Sequence, residues 1–116
     1  MRSYVADLND LSQEGWVLLV EGQRDVRALR VLGFNGGVAT VHSVGRKGTG
    51  ILGEARKVVI LTDLDREGAT LAARSIKRLS HDGFRTSLKE RLRLKNASHG
   101  VFLHIENLSR FARDED

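Results

Sequence analysis

Two uninterrupted apolar runs stand out along the chain, Trp16-Val17-Leu18-Leu19-Val20 and Val58-Val59-Ile60-Leu61. Both are rich in strand formers and bounded by charge and glycine. They predict strands buried on both faces. Val38–His42, Phe84–Leu88 and Val101–Ile105 are weaker strand candidates. Between these runs the periodicity turns helical. Over Asp25–Leu32, positions 25, 28, 29 and 32 share a face, and Gly33 supplies a stop. From Arg66 to Ser80, the residues Ala69, Ala72, Ala73, Ile76 and Leu79 form one apolar stripe, with Arg74, Lys77 and Arg78 off it and Gly83 beyond. Residues 3–14 predict an N-terminal helix carrying Val5, Leu8 and Leu11 on one side. Leu108 and Phe111 predict a short final helix. Gly48–Ala55 is broken by glycine and is compatible with a loop or a short helix.

Strands that alternate with helices predict an α/β chain with a central, mainly parallel sheet. Right-handed crossovers then place helices on both faces, giving a doubly wound, Rossmann-like domain. No repeat or linker interrupts the pattern. One domain is expected over 1–116, with its core at about 16–105 and an acidic tail at 114–116.

Composition narrows the chemistry. The chain has no cysteine, which excludes disulfide scaffolds, zinc fingers, iron–sulfur sites and thiol catalysis. It has no proline either, so turns must come from Gly, Asn and Asp. No apolar run approaches the ~18 residues of a membrane span, and MRSYVADLND has no signal-peptide core. A soluble, cytoplasmic protein without a membrane partner is expected. The net charge of +4 fits a nucleic-acid partner, but it fits plain solubility equally well.

In a doubly wound sheet, ligands bind beyond the C-terminal ends of the strands. Glu21-Gly22 follows the first strong run, and Asp63-Leu64-Asp65-Arg66-Glu67-Gly68 follows the second. If the two strands are neighbours, their backbones lie about 4.8 Å apart, and Glu21, Asp63 and Asp65 surround one point. Three unpaired carboxylates there would raise one another's pKa. A divalent cation removes the repulsion, and all-oxygen ligands suit Mg²⁺ or, as a substitute, Mn²⁺. Gly22 and Gly68 permit tight turns and close ligand approach. Helix N-termini follow both segments and favour phosphate. Capping is the competing explanation for each acid alone. Asp63 or Asp65 would cap the helix from Arg66, and Glu67 would favour its dipole.

Val20-Glu21-Gly22-Gln23-Arg24-Asp25-Val26-Arg27-Ala28-Leu29, followed by Leu61-Thr62-Asp63-Leu64-Asp65-Arg66-Glu67-Gly68, resembles a Toprim domain over about residues 16–90. Type IA topoisomerases, bacterial-type primases, the ribonucleases that mature 5S ribosomal RNA and overcoming-lysogenization-type nucleases share that domain. The resemblance is nearest to small stand-alone Toprim proteins of archaea and some bacteria. It implies a Toprim fold with Glu21 as general acid or base, Asp63 and Asp65 as Mg²⁺ ligands, and Glu67 as an assisting acid. Asp25 matches the acid that often follows the Glu-Gly turn, where orienting the first helix is its expected role.

The only tyrosine is Tyr4, near a terminus, and nothing else in the sequence resembles the strand-handling machinery of a topoisomerase. A primase would need further modules. A metal-dependent nuclease acting on RNA or DNA phosphodiesters is the leading expectation. A non-catalytic module that docks nucleic acid or a larger protein assembly is the first alternative, and a receiver-like phosphoacceptor domain is the second.

Basic residues surround the expected site. Gly22, Arg24, Arg66 and Gly68 flank the acids and are candidate phosphate contacts. Arg46 and Lys47 fall in the glycine-rich stretch Gly45–Gly50, expected as a loop on the same face. Arg91, Arg93 and Lys95 alternate with Leu92 and Leu94. That spacing predicts an extended segment with one apolar face and one face toward a nucleic-acid backbone, or an edge strand blunted by charge. His42 ends the second strand. His81, His99 and His104 have no ligand spacing and are read as structural or surface residues.

Overall fold

A computed structural model describes residues 2–98 and 104–108. The elements are α1 (Arg2–Gln13), β1 (Trp16–Val20), α2 (Gln23–Val31), β2 (Val38–Thr40), α3 (Val41–Lys47), a 3-10 turn at Thr49–Leu52, β3 (Lys57–Ile60), α4 (Arg66–His81), β4 (Arg85–Ser87), α5 (Lys89–Ser98) and a second 3-10 turn at Ile105–Asn107. The strands form one all-parallel sheet in the order β2-β1-β3-β4. This is the doubly wound α/β architecture that the alternation of runs predicts.

The two apolar runs are the two central strands, and their lack of polar positions follows from packing on both faces. Leu18, Val20, Val59 and Leu61 meet Tyr4, Val5 and Leu8 of α1, Leu29 of α2 and Leu94 of α5. Leu19, Val58 and Ile60 face the other layer, under Val44 of α3 and Ala72 and Leu79 of α4. The stripe on α2 includes Asp25, which is buried with Ala28 and Leu29. Its carboxylate accepts the Gly22 N–H at 3.0 Å, so it ties down the first turn of α2. Gly33 follows α2 at φ 96°, a left-handed conformation that glycine adopts without strain.

Expectations change for the stretch from Val41 to Lys47 and for the segment from Lys89. The second strand stops at Thr40, whose side chain accepts the Ser43 N–H at 3.0 Å and starts α3. His42, Arg46 and Lys47 therefore lie on a helix, not on a strand end and a loop. The segment from Lys89 is α5 and not an extended edge. There Lys89 N–H donates to Ser87 Oγ at 3.3 Å, and the Ser87 hydroxyl donates to Glu90 at 3.0 Å. Leu94 is buried while Leu92 is exposed, so the alternation of leucines belongs to a helix with a narrow apolar contact. Gly48–Ala55 contains the first 3-10 turn. Of the expected fifth strand, residues 101–103 lie outside the described residues, and Ile105 begins a 3-10 turn. Phe111 also lies outside them.

Candidate functional site

β1 and β3 pair in parallel with Leu19 opposite Ile60, and the Leu61 N–H donates to the Leu19 carbonyl at 2.8 Å. The chain therefore leaves both strands side by side, at Glu21 and at Thr62-Asp63. The connection from β1 goes outward through α2 to β2, while β3 lies on the other side. That divergence opens the crevice in which α/β sheets bind ligands.

The loop between β3 and α4 is held from several directions. Asp63 N–H donates to Glu21 Oε1 at 3.2 Å. Asp63 Oδ1 accepts the Ile105 N–H at 2.8 Å, and its Oδ2 lies 3.2 Å from His104 Nδ1. Asp65 Oδ1 accepts the Gly68 N–H at 2.7 Å and caps α4. Its Oδ2 lies 3.9 Å from His104 Nδ1. The buried Thr62 hydroxyl donates to the Gly68 carbonyl at 2.7 Å. Arg91 on α5 donates from Nε to the Thr62 carbonyl at 3.2 Å and from Nη2 to the Asp63 carbonyl at 2.6 Å. Gly68 has no room for a side chain, because a Cβ there would sit 1.8 Å from the Asp63 carbonyl oxygen.

Charge is concentrated here without full compensation. Burial, then the neighbouring Asp63 carboxylate, pushes Glu21 up to about 7 from an ordinary 4.5. Burial also raises Asp25, against the pull of the Gly22 N–H. The hydrogen bond to Asp63 raises His104. The consequence for Glu21 has a definite sign. Its folded pKa exceeds its unfolded one, so the folded state holds more protons between pH 4.5 and about 7. Stability must fall as pH rises through that window and then level off. Urea midpoints of the metal-free chain are expected to drop across it, and less steeply for Glu21→Gln. Equal slopes for parent and variant would refute the raised pKa.

Among the described residues, Asp63, Asp65 and His104 each offer a ligand atom, and these atoms lie within 4.8 Å of one another. Bonds of about 2.1 Å place ligand atoms on one ion roughly 3–4 Å apart. The two His104 separations fall in that range. The donor set therefore fits a divalent cation.

The other residues singled out in the sequence are dispersed. Glu21, Asp63 and Asp65 come together. Glu67 is exposed in the first turn of α4 and outside the converging group. Gly22 and Arg66 stand at the starts of α2 and α4. Arg24 is well exposed and 3.9 Å from Glu106. Arg46 and Lys47 occupy the last turn of α3, and the adjoining Gly48 approaches Arg78 in the last turn of α4. That is the end of α4 away from the acids. Arg91 is committed to backbone carbonyls. Arg93 pairs with Asp7 at 2.5 Å and covers the Tyr4 ring. Lys95 lies exposed on α5. Sequence reasoning missed His104. It lies inside the fifth apolar run, Val101–Ile105, and carries no ligand spacing to the other histidines, so no local signal marks it.

The family model for the Toprim domain matches residues 15–88. The chain belongs to the Toprim family. Among similar proteins, the UPF0292 protein of Methanosarcina acetivorans is 32% identical over 104 residues, covering 88% of this chain and 72% of the relative. The UPF0292 protein of Archaeoglobus fulgidus is 42% identical over 64 residues, which are 55% of this chain and half of that protein. A solved structure, a putative protein from Aquifex aeolicus, superposes with a TM-score of 0.74 at 27% identity. That match covers 90% of this chain and 94% of the other. The Toprim match ends at residue 88, so Arg91 and His104 lie beyond it. No helix among the described residues is long and apolar enough to cross a membrane.

Proposed function

We propose that this Toprim protein is a divalent-metal-dependent nuclease that hydrolyses phosphodiester bonds of RNA or DNA. The observation that carries the reading is the meeting of Glu21 with Asp63 and Asp65 at the C-terminal edge of β1 and β3. Asp63 and Asp65 would hold the cation. Bound there, it supplies Lewis-acid stabilisation of charge on the phosphate. Burial raises the Glu21 carboxyl above its ordinary range in the metal-free site, and its place beside Asp63 and Asp65 suits a general acid or base at the reacting phosphate.

The N-terminus of α4, with Gly68 and the exposed Arg66, favours an anionic group beside the acids. Arg24 stands exposed at the same edge. The single tyrosine is unsuited to act as a covalent nucleophile. Tyr4 is buried, its hydroxyl donates to the Glu90 carbonyl at 2.9 Å, and burial raises its pKa. Hydrolysis fits this site better than strand passage.

The test is cutting of labelled RNA and DNA panels with Mg²⁺ or Mn²⁺. The parent is expected to cut, and Glu21→Gln to cut roughly 10²–10⁴-fold more slowly. If nothing is cut, but binding weakens steeply with salt, the protein is a binding module and the proposal fails.

A further inference from the structure

The paired carboxylates alone describe a hard, all-oxygen site. The third converging atom is a nitrogen. Each aspartate has one oxygen tied to a backbone N–H, Asp63 Oδ1 to Ile105 and Asp65 Oδ1 to Gly68. The remaining oxygen of each carboxylate turns toward the same imidazole nitrogen, His104 Nδ1, at 3.2 and 3.9 Å. His104 is itself held in place by its neighbour, since Ile105 is wholly buried in the core with Leu108.

We propose that His104 is an inner ligand of the cation and makes the site prefer Mn²⁺ over Mg²⁺. This rests on the reading of Asp63 and Asp65 as cation ligands. The preference follows from ligand chemistry. Mg²⁺ binds through oxygen, loses water reluctantly and gains little from imidazole. Mn²⁺ shares the carboxylate chemistry of Mg²⁺ but, as the first member of the divalent transition-metal series, also takes a nitrogen ligand, more weakly than the later metals that imidazole suits best. Two carboxylates and one imidazole therefore cost Mg²⁺ an oxygen ligand but suit Mn²⁺. His104 lies outside the stretch matched by the family model.

The full chain is loaded with Mn²⁺ and examined by pulsed electron paramagnetic resonance. Coupling to a directly bound ¹⁴N is expected in the parent. It should change frequency on ¹⁵N-histidine labelling and disappear in His104→Gln. In calorimetric titrations the parent should bind Mn²⁺ at least ~10-fold more tightly than Mg²⁺, the lower end of what a supporting ligand contributes. His104→Gln should shrink that ratio mainly by weakening Mn²⁺.

If Mn²⁺ binds, and Asp63→Asn abolishes binding, but the parent shows no nitrogen coupling, His104 is not a ligand and this inference alone falls. An unchanged metal ratio in His104→Gln overturns it likewise. If the parent binds neither ion, the metal reading of the aspartates falls as well. The nitrogen coupling is read on the parent, so the result does not depend on how well the variant folds.

Discussion

Asp63→Asn is expected to abolish cation binding and nucleic-acid cutting while leaving the fold intact. The substitution is well matched to its surroundings. The side-chain carbonyl can still accept the Ile105 N–H that Oδ1 accepts now. The backbone bonds of Asp63 to Glu21 and Arg91 do not involve the side chain. What changes is the second oxygen, which faces His104 and Asp65 and becomes an amide. A neutral amide neither attracts the ion nor balances its charge.

A supporting ligand is worth 10–100-fold in affinity, so losing a direct one should cost at least about 100-fold. The melting temperature should stay within about 4 °C of the parent, since asparagine keeps the shape of the side chain and an acceptor for the Ile105 N–H. Metal titration by calorimetry, with melting curves on the same samples, checks both parts. A variant that keeps parental metal affinity would remove Asp63 from the site.

Gly68→Ala should damage the fold and the site together. A methyl group there would overlap the Asp63 carbonyl oxygen, a backbone atom with no rotamer to escape into. Either α4 moves outward or the Asp63 peptide does. The first movement strains the Thr62–Gly68 bond and the Asp65 cap. The second displaces the carbonyl that Arg91 grips and the carboxylate beyond it. Overpacking costs about 1–3 kcal/mol, and part of a helix cap adds to it. A fall in melting temperature of roughly 10 °C or more is expected, with weakened metal binding. Gly50→Ala, where an added methyl meets nothing within 4 Å, is the matched control. Similar melting temperatures for the two variants would mean that the tight contact carries no strain.

Asp63 and Gly68 both stand in a motif that is legible in the sequence, and the physical reason is local. The central strands announce themselves because a strand covered on both faces has no position for a polar residue. The acids at their ends follow from the rule for parallel sheets, and the doubly wound order from the alternation. α5 reads falsely as extended because Leu92 and Leu94 imitate a two-residue period, while the signal that starts the helix, Ser87 with Glu90, is a local side-chain bond. The stretch with Arg46 and Lys47 reads falsely as a loop because three glycines suggest one, yet Thr40 caps a helix that runs through the first of them. His104 and Arg91 escape for a different reason. Their roles depend on the docking of a distant turn and of a helix flank onto the β3–α4 loop, which no local pattern encodes.

That docking has a kinetic side. Asp63 is bonded to Glu21 across 42 residues in one direction and to Ile105 across 42 in the other. The site is therefore assembled from non-local contacts, and both loops must close before it is complete. During synthesis the β1–β3 pair can form while Asp63 still lacks its partner at Ile105. The acids would meet first and be steadied last, once residue 105 has emerged.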